Sequence, residues 1–319
     1  MKKRFGFLLA RNFTLSPLSL FIDTLRLAGD EGDRSRRIAF DWQIIGDAGL
    51  PMRASCGLEL MPTARIGHPE DYDNIVVVGG LLDRQSPLTP QNEAFLMLAA
   101  RKNIPITALC TGSFVLARYG LLDSYRASVS WFHIRDFRAH FPQVQASADA
   151  LFVVDRDRAT CSGGTGAADL AAHFVSASLG EKPAVKAAKI LILDRIRSAR
   201  DVQPVNDMFP NATSATVRRA LLMMESNLQQ PLSIADIARA VGRSNRQLER
   251  LFATELGTSP RQAYMTLRIH TAAGLVSSGD LPIGDVGYEA GFINATHFSR
   301  AFRKYAGISP SELRKDRSR

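Results

Sequence analysis

A chain of 319 residues is long enough for two domains, each with its own core. Its 40 Lys+Arg against 31 Asp+Glu leave a net charge of +9, a balance suited to a polyanionic partner. Three cysteines, Cys56, Cys110 and Cys161, form an odd set without metal-ligand spacing, which argues against a disulfide framework or a zinc site and suits a reducing cytoplasm.

Met1-Lys2-Lys3-Arg4 ahead of FGFLLA (5–10) imitates a signal peptide, but the apolar run is six residues and lacks a cleavage site. No segment approaches a membrane span, so a soluble, cytoplasmic protein without a membrane partner is expected. FGFLLA predicts a short buried strand. The helix expected over 17–28 places Leu18, Phe21, Ile22, Leu25 and Ala28 on one face, and Gly29 stops it. FDWQIIG (40–46) reads as a second strand, and NIVVVGG (74–80) as a fully buried parallel strand ending in a glycine pair. An amphipathic helix follows over 91–102, then the strand IPITALC (104–110), which runs straight into the glycine turn and helix of TGSFVLARYG (111–120). Alternating strands and helices of this length imply a doubly wound α/β domain with a mostly parallel sheet. ALFVVDRDRATCSGGTGAADLAAHFVSASLG (150–180) predicts a hairpin, a Gly-rich turn and a helix. In RSARDVQPVNDMFPNAT (197–213) the periodicity fails and two prolines appear, the composition of a linker. The expected division is therefore an α/β domain over 1–195, a linker over 196–212 and an all-α domain over 213–319.

The last part of the chain says nearly the same thing twice. Ile234, Asp236 and Gly242 recur 49 residues on as Ile283, Asp285 and Gly291. Arg250, Phe252, Gly257, Ser259 and Pro260 recur 50 residues on as Arg300, Phe302, Gly307, Ser309 and Pro310. The one-residue slip falls after the shared glycine, where a turn between two helices absorbs it. Each unit reads as a helix-turn-helix. A short helix carries Ile234, Ile237, Ala238 and Val241, or Ile283, Val286 and Ala290. Gly242 or Gly291 ends it, and Ser244 or Asn294 caps a second helix. That second helix buries Leu248, Leu251 and Phe252, or Phe298, Ala301 and Phe302. Its opposite face holds Asn245, Arg246, Glu249 and Arg250 in one unit, and Thr296, His297, Ser299, Arg300 and Arg303 in the other. Such a face suits reading of a major groove in double-stranded DNA, whereas a bland bundle helix would turn it only to water. Glu249 could accept from a cytosine amino group or hold Arg246 or Arg250 in place. A helical connector over roughly 260–276 joins the units. Residues 213–319 hold 15 Lys+Arg against 9 Asp+Glu, and 1–212 hold 25 against 22, so the basic excess concentrates in the repeat. This region resembles the AraC/XylS family of DNA-binding domains, and GFINATHFSRAFRKYAGISPSELR (291–314) carries that family's C-terminal signature.

ALCTGS (108–113) puts Cys110 where a nucleophile elbow would put it, on a tight turn between a parallel strand and a helix N-terminus. Such a place lowers a thiol's pKa and stabilises anions. With VVVGG (76–80), it makes residues 5–190 resemble the PfpI-like branch of the class I glutamine amidotransferase-like fold, a flavodoxin-like α/β domain. Joined to an AraC-type domain, this is the arrangement of the GlxA-type regulators. WFHIRDFRAHFP (131–142) and ATCSGGTGAADLAAHF (159–174) are similar to members that sense amino-acid-like or quaternary ammonium catabolites.

Catalytic members place a His after the cysteine and an acid in the loop after the first strand. Here Thr111 stands after Cys110, and ARNFTLSPLS (10–19) has no carboxylate before Asp23. A thiolate without base or orienter is a poor nucleophile. Of the remaining imidazoles, His133, His140 and His173, the last lies on an apolar helix face and reads as structural. Cys110 is then a small buried hydrophobe or the lining of an inherited effector pocket, with Gly80, Thr111 and Gly112 amides available to an effector's carboxylate. Trp131 either packs in a core or meets a cationic end by cation–π contact. SGGTG (162–166) is followed by no Lys-Ser/Thr and is no P-loop; it reads as the tight turn into a helix near Ala167, with anion binding as a second use. No cofactor and no metal is expected. The expected function is a ligand-responsive, sequence-specific DNA-binding regulator that is not an enzyme. Its expected partners are DNA, a small-molecule effector, RNA polymerase and a second copy joined through the N-terminal domain. The alternative is a PfpI-type cysteine hydrolase or amidase carried on a DNA-binding module.

Overall fold

The structure, a computed structural model, describes residues 2–317 apart from 33, 48, 84 and 205–207, with the backbone alone at 316 and 317. It divides into two compact units between Gln203 and Pro204. In chain order the first holds β1 (Lys3–Leu9), α1 (Leu15–Gly29), β2 (Phe40–Ile45), β3 (Met52–Arg53), β4 (Glu59–Leu60), β5 (Asn74–Val78) and α2 (Pro90–Arg101). It continues with β6 (Ile106–Leu109), α3 (Gly112–Arg118), β7 (Arg126–Ser128), α4 (Ile134–His140), β8 (Gln145–Ser147), β9 (Phe152–Asp155), β10 (Arg158–Cys161), α5 (Gly166–Leu179) and α6 (Glu181–Ile190).

Among the described residues, six strands form one sheet in the order β2-β1-β5-β6-β10-β9, parallel except for the β9–β10 hairpin. Period-two alternation assigns its faces. Phe5, Phe7, Leu9, Val76 and Val78 enter one core with Phe21, Leu25 and Leu170 of α1 and α5. Leu8, Ile75 and Val77 enter the other with Phe95, Leu116 and Phe137 of α2, α3 and α4. Both faces are covered, which is why these strands read as continuous apolar runs. The doubly wound α/β expectation holds, with every predicted strand in place. Two short pairs, β3–β4 and β7–β8, lie outside the main sheet and were too brief for a periodic signal.

Strand order reverses between β1 and β5. In such sheets the crevice outside the strands' C-terminal ends at the reversal is where ligands bind. The loops leaving β1, β5 and β6 meet there. The beginning of the segment expected as a linker belongs to this unit. Arg197 makes a two-bonded ion pair with buried Asp169, and the Gln203 amide donates to the carbonyls of Val129 and Ala150. Positions 205–207, at the centre of that segment, lie outside the described residues.

The second unit holds α7 (Ala215–Ser226), α8 (Ile234–Ala240), α9 (Asn245–Leu256), α10 (Pro260–Ser278), α11 (Ile283–Glu289), α12 (Ala295–Ala306) and α13 (Pro310–Arg317). Ser244 and Ser259 each close a capping box, with Gln247 and Gln262 respectively. The repeat becomes two small cores. One gathers Leu221, Ile237, Leu248 and Phe252, the other Val276, Val286, Phe298 and Phe302. The connector α10 supplies Ala263 and Leu267 to the first core, and Ile269, Ala272 and Val276 to the second. A single uninterrupted helix thus fixes the separation of the two motifs. Tyr264 locks the first motif by donating to Asn227 O, and burial pushes its phenol up to about 12. Arg268 locks the second by donating to the carbonyls of Ala290 and Gly291, its guanidinium over the Phe292 ring.

Candidate functional site

Four loops converge on Cys110. The residue has φ +57°, the left-handed conformation that an L-residue rarely adopts, as a strand-to-helix elbow demands. Gly79 and Gly80 are glycines because neighbouring backbone occupies the space of a side chain. A Cβ on Gly79 would lie 2.0 Å from Gly112 N, and one on Gly80 would lie 2.2 Å from Asn12 O. The turn into α5 closes the remaining side, where a Cβ on Gly163 would come 3.1 Å from Cys110 Sγ. The SGGTG run is therefore the tight helix start that was expected, laid directly against the cysteine.

Among the described residues, Sγ of Cys110 donates to the Thr14 hydroxyl at 3.7 Å. Thr14 stands just ahead of α1 but makes no side-chain cap there. Sequence reasoning missed it, because the search in that loop was for a carboxylate. Thr111, in the place of the family's histidine, donates to Gly80 O at 2.6 Å and is buried. A hydroxyl is no general base at neutral pH. His133 sits edge-on to Phe114, and burial lowers its pKa. His140 is bonded through Nδ1 to the carbonyl of Asp136. His173 is exposed, with its ring against Phe152 and Phe174. Cys161, opposite Leu109 in the sheet, is fully buried, and desolvation pushes its thiol up to about 12, leaving it protonated and inert.

A cavity of about 300 Å³ opens beside this elbow, at the strand-order reversal. Ala10, Gly80 and Thr111 form its floor, and Phe114, Phe141, Leu81 and Leu82 are its apolar walls. Asp83, Arg118, Asp136 and His140 supply charge at its edge. Of the expected pocket residues, Gly80 and Thr111 line this space. Cys110, Gly112 and Trp131 are not among its walls. The Gly112 amide lies under Gly79, and Trp131 is 39% exposed, edge-on to Phe132, with its backbone N–H donating to the Gln203 amide oxygen. A second cavity of about 420 Å³ shares Ala10 and Pro87 with the first and is bounded by Arg11, Arg53 and Asn92. Asn92 is 4% exposed, and its Oδ1 has no hydrogen-bond partner among the described residues. Buried acceptors are rarely left so.

In the helical unit, Asn245, Arg246, Glu249 and Arg250 all lie on the exposed face of α9, opposite buried Leu248 and Phe252. Among the described residues Glu249 makes no ion pair with either arginine. Thr296, His297, Ser299, Arg300 and Arg303 are likewise exposed on α12. Arg303 is bonded to both oxygens of Glu312 at 3.1 Å. Ile293, just before the Asn294 cap, is fully exposed and was not singled out from sequence. A large apolar side chain at the start of a recognition helix can meet a thymine methyl group.

Among the described residues no helix is long and apolar enough to cross a membrane, and no group of His, Cys, Asp or Glu is placed to hold a metal ion. A family model described as "DJ-1/PfpI family" matches residues 29–177, and one described as "Helix-turn-helix domain" matches residues 218–316. The HTH-type transcriptional regulator GbdR of Pseudomonas aeruginosa is 35% identical over 311 residues, 97% of this chain and 83% of its own. The HTH-type transcriptional regulator GlxA of Rhizobium meliloti is 29% identical over 98% of this chain and 96% of its own. The crystal structure of an AraC family transcriptional regulator from Pseudomonas putida is 26% identical, with a TM-score of 0.50 over 59% of this chain and 99% of that one. The chain belongs to the AraC family of HTH-type transcriptional regulators, in the GlxA-like group that carries a DJ-1/PfpI domain ahead of the DNA-binding motifs.

Proposed function

We propose that the α/β domain binds a small metabolite without transforming it, and that this binding controls what the helical domain does on DNA. The observation that carries the reading is the pairing of Cys110 with a threonine hydroxyl beside an open cavity. The elbow's geometry is kept, while the base and the acid that hydrolysis needs are replaced by Thr111 and Thr14. The cavity's chemistry supports a zwitterionic effector, amino-acid-like or a betaine. Asp83 and Asp136, with the rings of Phe114 and Phe141, suit a cationic end, and Arg118 suits a carboxylate. Gly80 and Thr111 border the same space, next in the chain to Cys110. Trp131 stands outside that cavity and would reach a ligand only by moving.

Base reading in this proposal falls to Asn245, Arg246, Glu249 and Arg250 on α9, and to Thr296, Ser299 and Ile293 at α12. The protein acts in the cytoplasm as a homodimer through the α/β domain, with RNA polymerase as its target once on DNA. The dimer is supported by Leu179, Val185, Ile190 and Ile192, large apolar side chains left exposed along α5, α6 and the turn after them, with Ile192 87% exposed.

A thermal-shift screen of the full-length protein against amino acids, betaines and polyamines tests the reading. A ligand at a hundred times its Kd should stabilise the native state by about 2.7 kcal/mol. Ammonia release from a carboxamide such as glutamine or asparagine, abolished by Cys110→Ala, would instead establish the hydrolase.

A further inference from the structure

Among the described residues, three cations without a carboxylate partner line one hollow between the start of α10 and α12. Arg261, in the first turn of α10 and a few residues past the end of α9, shares a hollow of about 590 Å³ with Arg300 and Lys304 of α12. His297 and Tyr305 complete its wall. Among the described residues no carboxylate lines this hollow, and none pairs with Arg261, Arg300 or Lys304. That contrasts with Arg303 one strip away, which Glu312 neutralises. Like charges held together without neutralisation repel one another, and an anion placed among them removes that cost.

The geometry says which anion. His297, Arg300 and Lys304 follow one another at intervals of three and four, so they share one flank of α12, while Thr296, Ser299 and Arg303 form the adjacent strip. The first flank is the one turned towards the start of α10, that is, towards the first motif. Two recognition helices entering major-groove segments one turn apart leave a minor groove and its bordering phosphates between them. A hollow walled by the start of the connector and by this flank of α12 would face that backbone in such a complex.

We propose that Arg261, Arg300 and Lys304 form a clamp for DNA-backbone phosphate between the two motifs, so that Arg300 positions the duplex and does not read a base. The proposal rests on the DNA-binding reading of both motifs. It also bears on the symmetry of the repeat: Arg300, the counterpart of Arg250, shares its hollow with the connector's Arg261.

The test uses the full-length protein and a duplex that it selects from a random pool, with affinity measured across a salt series by fluorescence anisotropy. Arg261→Gln, Arg300→Gln and Lys304→Gln should each flatten the slope of log K against log salt by about 0.9, the effect of one neutralised phosphate. Each should weaken binding to the selected duplex and to a scrambled one by the same factor, leaving base preferences unchanged. Arg261→Lys, which keeps the charge, should restore the slope, an outcome that lost folding would not produce. Unchanged slopes for Arg261→Gln and Lys304→Gln overturn the clamp, as does a loss of preference at one base pair for Arg300→Gln. If the parent selects no sequence but its variants still flatten the slope, the clamp stands and base reading by the motifs falls instead.

Discussion

Thr14 Oγ1 lies 3.7 Å from Cys110 Sγ, joining the loop after the first strand to the turn after β6. The thiol donates to a hydroxyl that cannot take its proton at neutral pH, so the contact orders the elbow without activating it. Cys110→Ala should therefore keep the ligand-induced thermal shift, while the free protein loses about 1 kcal/mol with the contact to Thr14. Intact-mass spectra of the parent incubated with candidate amides or esters should show no adduct. A trapped acyl group on Cys110 would refute this.

Glycine-to-alanine changes at two places should have opposite signs. At Gly79 the new methyl would meet backbone atoms at 2.0 and 2.1 Å, so Gly79→Ala should destabilise the α/β domain by about 3 kcal/mol. At Gly274, inside α10 with open space around it, Gly274→Ala should stabilise the helical domain by about 1 kcal/mol. Urea unfolding of each variant reads both, and a stabilised Gly79→Ala would show that the loops do not meet as described.

The unpartnered oxygen of Asn92 gives the second cavity a distinct signature. Replacing a buried, unsatisfied amide by an apolar group of similar shape should be neutral or stabilising for the free protein, by up to about 1 kcal/mol in Asn92→Leu. If the effector reaches this cavity, the same variant should lose much of the ligand-induced shift. The two effects separate in one pair of melts, with and without ligand. An Asn92→Leu protein markedly less stable when free would mean that the oxygen has a partner after all.

Acid should loosen the link between α12 and α13. Hydrogen bonds from Ser309 and Arg303 hold the Glu312 carboxyl down to about 2 from its ordinary 4.5. A depressed carboxyl contributes its full stabilisation above pH 4.5, and the contribution is lost as pH falls through about 2. The urea midpoint of the parent should exceed that of Glu312→Gln at pH 7, and the difference should disappear near pH 2. At neutral pH the same pair occupies Arg303, so Arg303→Ala should leave base preference unchanged in a selection from random duplexes.

The alternation of Phe5, Phe7, Leu9 and Ile75 to Val78 determined the buried parallel sheet by itself, because period-two patterning and unbroken β-branched runs leave few other ways to cover both faces. The recurrence of Ile237, Leu248 and Phe252 as Val286, Phe298 and Phe302 likewise specified two helix-turn-helix cores, since helical spacing is local. Cys110's elbow was legible too, from a strand running into Thr111-Gly112. Tertiary structure alone decided what surrounds these features. Thr14 and Cys110 are 96 positions apart and meet only through strand order, and the effector cavity takes its walls from loops that share no sequence pattern. The backbone N–H of Trp131 donates to Gln203, which sequence placed in a linker. Arg300 and Arg303 look alike on a helical wheel, and only packing gives Arg303 a carboxylate and Arg300 a second arginine. Spacing fixes which side chains share a face, whereas charge partners and cavities come from distant chain brought close.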